Sequence, residues 1–501
     1  MLIQTPFKSP NSTSTRRRPP RRRSPVSQPC LETLEDRRLL TTFSVLNVLD
    51  SGPGSLRGAI AAANSAPGAD VIRFAPSARD GTIALAAGQL NITDDLTIDG
   101  PGDGRLTVSG SDASRVFQIG IGVVVSIDGL SVTHGRAVGQ GGGILNAGTL
   151  TLSHASLSDN QVDGLPGATL GTVVDAFGGG IFNAGVLTVS HTNFVHNHSI
   201  GANGAPGSIG SSALGGAIMS GGTASAPANA TVSHSTFLDN QAIGGAAGVG
   251  ASRAGIGGAI ANATGTFTVS HSEFRDNQAV GGLGGSSPGG FGTGAGGAIG
   301  NVARLGDAIF VVSHSTFLDN QAVGGAAGTG APPQDGRGGA IANYIFGGLT
   351  PPVTVAATAS IDHSVLLGNQ AVGGIGSTSG NGQGGGIANL NGGVLTVTHS
   401  LLALNRAVGG AGSSGNDGKG QGGGIFNGGS SAVGAPSLTL DRSFVTLNRA
   451  DGGAAGTGGV AGLGVGGGLY LAPGGIASAE RTAIFANDAS TSDDDVFGVL
   501  I

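Results

Sequence analysis

One unit, written nine times, constrains this chain more than any other feature. Each copy opens on Gly-Gly-Gly/Ala-Ile/Leu, beginning at Gly141, Gly178, Gly215, Gly257, Gly296, Gly338, Gly384, Gly422 and Gly466. Each closes on an apolar-x-x-Asn corner, at Asn160, Asn197, Asn240, Asn277, Asn320, Asn369, Asn405, Asn448 and Asn487. Successive corner asparagines lie 37, 43, 37, 43, 49, 36, 43 and 39 residues apart. A period of roughly 41 belongs to solenoids and repeat arrays, in which each unit buries its apolar face only against its neighbours.

The spacings that hold and those that drift divide the unit. A histidine, or the residue in its place, stands six residues before every corner asparagine: His154, His191, His234, His271, His314, His363, His399, then Arg442 and Arg481. From each corner to the next GGGI isoleucine or leucine the interval is 18 to 22 residues of mostly Gly, Ala and Ser. A disordered linker has no reason to keep its length so closely, so these excursions are expected to be ordered and stacked. From the GGGI isoleucine to the following histidine site the interval runs from 10 to 22. The insertions Gly221 to Asn229, Val302 to Asp307, Tyr344 to Thr354 and Gly428 to Pro436 are therefore the expected variable loops.

Within one copy, GGGIFN, LTVS and TNFVHN read as three short strands with alternating inward residues such as Leu187, Val189 and Phe194. Three strands and their turns make one coil. The expected fold is all-β, a right-handed single-stranded parallel β-helix, with roughly 12 rungs stacked over a length on the order of 60 Å. A second arrangement stays open, in which the Gly-rich excursion forms a coil of its own. Collagen is excluded, because the 99 glycines follow no every-third-residue register. With 39% hydrophobic and 11% charged residues the chain can build a core.

Residues 1–41 read as a disordered basic tail, with RRRPPRRR at Arg16 to Arg23 and nine Lys/Arg against three Asp/Glu in the first 40 residues. Residues 42–81 read as an N-terminal cap. There Ser55 is the N-cap of a short helix with Leu56, Ala59, Ile60 and Ala63 on one face, stopped by Asn64 and Pro67. Residues 82–140 form irregular opening coils, 141–490 the nine-repeat array and 491–501 an end segment. Beyond the tail the chain is mildly acidic, which disfavours binding to a phosphate backbone; no nucleic acid partner is expected. No apolar run is long enough for a transmembrane helix, and the single Cys30 excludes an intrachain disulfide.

Three stretches resemble known families. LETLEDRRLL (Leu31 to Leu40) resembles the N-terminal segment of many planctomycete extracellular proteins, which implies an extracellular or cell-surface location. GPGSLRGAI followed by ADVIRF is similar to the opening of many secreted right-handed parallel β-helix proteins. GGAI followed by FLDN (Phe237 to Asn240, Phe317 to Asn320), FRDN (Phe274 to Asn277) or FVHN (Phe194 to Asn197) resembles the chlamydial polymorphic membrane protein repeat. That resemblance spans about 140 to 490 and implies a surface-exposed adhesive β-helix. The translocator barrel of that family is not seen after the repeats.

No set of residues converges on a catalytic constellation, and neither a cofactor nor a metal is implied. The seven histidines are expected to form a stacked corner ladder. Zinc ligands sit about 2.0–2.1 Å from the ion, whereas side chains on successive rungs start about 4.8 Å apart. The nine asparagines are expected to form a structural ladder, in corners that need left-handed backbone. Asp159, Asp239, Asp276 and Asp319 could align as an acidic strip for calcium, but His196, Gly368 and Leu404 interrupt it. GNDGKGQ at Gly415 to Gln421 lacks the Ser or Thr of a P-loop. The expected role is structural or adhesive, with an extracellular polysaccharide or another cell-surface component as the partner. The alternative is a polysaccharide lyase or glycosidase, with Asp94, Asp95, Asp99 and Asp103 as its candidate carboxylates.

Overall fold

One repeat makes one turn of the chain. In the coil that opens at Gly257 the strands are Ile260–Asn262, Gly265–Ser270, Glu273–Arg275, Gln278–Val280 and Gly294–Ala295. Each pairs in parallel with its counterpart one repeat on: Ile260 with Ile299, Phe267 with Phe310, Phe274 with Phe317, Ala279 with Ala322 and Gly294 with Gly336. The result, in this computed structural model, is a right-handed single-stranded parallel β-helix. Its five sheets have 13, 12, 12, 10 and 8 strands among the described residues. The described residues are 40–501 apart from 103, 206–207, 248–252, 285–291, 327–333, 347–354, 377–378, 413–416, 430–433 and 457–458. The basic run, Cys30 and residues 31–39 therefore lie outside them, as do Asp103 and parts of the insertions at Tyr344 to Thr354 and Gly428 to Pro436.

The coil has five strands where the sequence pattern suggests three, and the two-coil alternative does not occur. The expected three strands enclose the main core, a continuous column of Val, Ile, Leu and Phe that includes Ile260, Phe267, Val269 and Phe274. The fifth strand lies against the outside of the first, and the fourth packs on the fifth. Met219, Ala261, Ala342 and Phe426, the outward residues of the first strand, are buried there against Ile256, Ala295 and their neighbours. Between the fourth and fifth strands the buried cluster is Val162, Ala176, Ala213 and Ala242. This second lobe is thin, which accounts for its Gly and Ala composition. Its described parts stack in register, for example Gly244 N–H to Val280 O at 2.8 Å and Gly281 N–H to Val323 O at 2.8 Å.

The glycine pair that opens each repeat has two separate causes. Gly257 has φ of +64°, a left-handed conformation. Gly258 needs no unusual φ, but a Cβ on it would strike the backbone of Gly297 and Gln278. The third position is less crowded: a Cβ on Gly180 would meet one carbonyl oxygen, that of Ala217 at 2.7 Å, and Ala stands there in the coils of Ala217, Ala259, Ala298 and Ala340.

The insertions are less free than their drifting lengths suggest. The strand Ile299–Ala303 lengthens into one of them and pairs with Ile341–Ile345. Ala303, Ala308, Ile345 and Ala357 then form a small buried cluster of their own.

At the N-terminal end a helix spans Leu56–Ala63, with Ser55 accepting from Gly58 N–H and with Leu56, Ala59, Ile60 and Ala63 buried. It packs against Thr42–Val45, which pairs with Asp70–Phe74. At the other end Val496–Phe497 pairs with Leu469 and Tyr470, and Phe497 stacks on Tyr470 at 4.6 Å.

Candidate functional site

Two sharp corners flank the short third strand of every coil, and both hold non-glycine residues in left-handed backbone. The first is the histidine site, with φ of 46° at His154, 48° at His191, 49° at His234, 47° at His271, 48° at His314, 45° at His363 and 48° at His399. The second falls on Asp159, His196, Asp239, Asp276, Asp319, Gly368, Leu404, Leu447 and Ala486. It is the residue before each corner asparagine. The asparagines themselves are not left-handed, which corrects the backbone reason for their presence.

Their side chains are satisfied inside the wall. Asn160 Nδ2 donates to Asn197 Oδ1 at 2.9 Å, and the bond repeats through Asn240, Asn277, Asn320, Asn369, Asn405, Asn448 and Asn487 at 2.9–3.0 Å. Each Nδ2 also reaches a backbone carbonyl, as Asn277 does at Phe237 O, 2.9 Å. A second ladder escaped the sequence reading: Asn146 to Asn183, and Asn262 through Asn301, Asn343 and Asn389 to Asn427, at 2.8–2.9 Å. Its signal was the asparagine two places after the GGGI isoleucine. Both ladders are buried, so neither offers a ligand anything.

The histidine column is exposed. Its rings stack face to face with centroids 4.5–5.1 Å apart from His154 to His399. Beyond His399 the stack passes to Arg442, whose Nη1 lies 3.3 Å from His399 Nε2. Beneath the last two rings lies Asp362, with His363 Nδ1 2.8 Å from Oδ2 and His399 Nδ1 3.2 Å from Oδ1. Burial pushes the Asp362 carboxyl up, but hydrogen bonds from Thr398, His363 and His399 outweigh it and bring it to about 2.

The other corner forms a trough. Asp239, Asp276 and Asp319 make one side, Gln241, Gln278, Gln321 and Gln370 the other, and Gly368 closes the row, around a volume of about 420 Å³. The glutamines are linked along the axis, Gln278 Nε2 to Gln321 Oε1 at 2.7 Å and Gln321 Nε2 to Gln370 Oε1 at 3.0 Å. Asp276 is held above the usual carboxyl range by desolvation and by the charges of Asp239 and Asp319 on either side. Gly368 leaves open the space that Asp319 Oδ1 leans into. His196 interrupts the acidic row as expected and lies 3.6 Å from Asp159 and 3.5 Å from Asp239.

The carboxylates of the opening coils serve local structure. Asp94 Oδ1 accepts from Asp95 N–H, Asp95 Oδ1 from Val124 N–H, and Asp99 pairs with Arg73 at 3.2 Å.

Among the described residues no helix is long and apolar enough to cross a membrane. No protein-family model matches the chain, and no curated protein matches it. Among solved structures it is similar to a mannuronic acid specific polysaccharide family 6 lyase from human gut microbiota, with 9% identity over 92% of this chain and 91% of that one and a TM-score of 0.32. It is also similar to a PL6 alginate lyase in complex with a trisaccharide, with 12% identity over 91% of this chain and 86% of that one and a TM-score of 0.35.

Proposed function

We propose that this chain is a non-catalytic binding scaffold that works outside the cell and takes up an extended polysaccharide along the trough. The observation that carries the reading is the trough's periodicity. Carboxylate acceptors and amide groups recur coil after coil, and a chain of sugar rings offers hydroxyls at regular intervals along one direction. The acidic row repels uronates, so the ligand is a neutral or amine-bearing polysaccharide. The planctomycete-like segment and the GGAI/FxxN repeat resemblance support display at the cell surface with an adhesive role.

Affinity electrophoresis against neutral, amine-bearing and uronate polysaccharides tests this. Retardation by a neutral or amine-bearing polymer, lost in Gln278→Ala/Gln321→Ala, is expected. Retardation by none of the panel, or by uronate polymers alone, would end the reading.

A second reading, eliminative cleavage of a uronate polysaccharide, draws on His399. Its Nδ1 faces Asp362 and its Nε2 faces Arg442. A base oriented by a carboxylate beside a guanidinium is what proton abstraction next to a neutralised uronate requires. Unsaturated product formed from a uronate polymer and abolished in His399→Ala would favour it over the first.

A further inference from the structure

The position before each column histidine is itself a column, and along most of the array it is Ser: Ser153, Ser190, Ser233, Ser270 and Ser313. Strand pairing places Asp362 directly between Ser313 and Thr398. A carboxylate in this row beneath two histidines occurs at this point alone among the described residues. At Asp128, the other place where the row pairs with a histidine through a carboxylate, a single ring approaches, that of His154 at 2.9 Å.

The obstacle to a metal in a stacked histidine column is that neighbouring rings do not converge. At this step they do. His363 and His399 are the closest pair in the column, with centroids 4.5 Å apart. Both turn Nδ1 toward one carboxylate, at 2.8 and 3.2 Å, on different oxygens. The three ligand atoms all lie within 4.8 Å of one another. Tetrahedral zinc with bonds of 2.0–2.1 Å has ligand–ligand edges of about 3.3 Å, so small ring rotations suffice to receive an ion. The side chains of His363 and His399 keep 49% and 35% of their surface, which leaves an open face for water.

We propose that Asp362, His363 and His399 form a binding site for one divalent transition ion of the zinc or nickel class. Two imidazoles and a carboxylate suit such ions and are a poor set for calcium, which takes six to eight oxygens. The nearby cation Arg442 is countered by Asp441, which lies 3.5 Å from it and 3.2 Å from Arg481. The site is independent of the trough, which lies at the other end of the third strand, and it shares Asp362 and His399 with the second reading without resting on it.

Zinc titration of the full chain by calorimetry tests the site, with Asp362→Ser and His399→Arg as variants. Both place in the column a residue that the same column already carries in other coils. One saturable equivalent is expected in the parent chain, weakened by at least about tenfold in each variant. The metal-free melting temperatures show whether both variants remain folded. X-ray absorption of the zinc-loaded parent should show two imidazoles in the coordination shell. Absence of saturable binding would overturn the proposal. So would several equivalents that survive Asp362→Ser, which would mark a column that collects metal without a built site.

Discussion

Asn487 donates its backbone N–H and its Nδ2 to the same oxygen, Asp495 Oδ1, at 3.1 and 2.9 Å. In every earlier coil the corresponding acceptor is the next asparagine of the ladder. Asp495 thus takes the place of a missing tenth member, and the acidic end segment supplies the last acceptor of a buried column. Asp495→Ala should lower stability by about 1–3 kcal/mol through the donors left unmet. Asp495→Asn, which restores the ladder's own acceptor, should leave the melting temperature nearly unchanged.

An interior ladder position should cost more. Asn277 accepts from Asn240 N–H and Nδ2 and donates to Phe237 O and Asn320 Oδ1. Asn277→Ala strands several buried partners together, and denaturant unfolding should show a loss on the order of 3 kcal/mol.

Phe194, Phe237, Phe274 and Phe317 stack along the core at 4.6–4.8 Å. Their row continues as Leu157 on one side and Leu366 on the other. Phe274→Ala should cost about 3–5 kcal/mol, because the coils on both sides hold the cavity open. Phe274→Leu, the residue the row itself uses, should cost far less.

The two corner carboxylates give opposite pH signatures. Asp362 is held below its ordinary value of 3.8, at about 2, so its contribution to stability is complete above pH 3.8 and is lost as pH falls toward 2. The gap in melting temperature between the parent chain and Asp362→Ser should therefore close across that window. Asp276 is raised by desolvation and by Asp239 and Asp319, so its ionised form opposes folding, and that penalty disappears as pH falls. At neutral pH, Asp276→Asn should stabilise by about 0.2–1 kcal/mol, and the gain should fade in acid.

Gly258→Ala should block correct stacking, because the added Cβ meets backbone of the same coil and of the next. Circular dichroism should show loss of the cooperative β transition. The neighbouring Ala259→Gly should remain folded, since other coils carry Gly there.

The repeat period, the core residues and the capping helix were legible in the letters because each depends on local pattern. Alternation marks inward residues, a six-residue interval fixes the third strand, and Ser55 with an apolar face marks a helix wherever it docks. The stacking of the described parts of the Gly-rich excursion was legible, but not the lobe they form. The coil's fifth strand packs on the outer face of the GGGI strands and its fourth strand on the fifth, and Gly and Ala carry almost no side-chain pattern from which to read that.

The corner asparagines show the same division. Their recurrence was plain, yet the left-handed residue proved to be the one before each, because the asparagine side chain must point into the wall to bond its neighbours. The trough and the Asp362 cluster were decided only by the stacked structure. Both depend on residues 37 to 49 positions apart in sequence coming within reach across successive coils. The letters show seven equivalent histidines. Stacking makes two of them different, by bringing a single carboxylate under both.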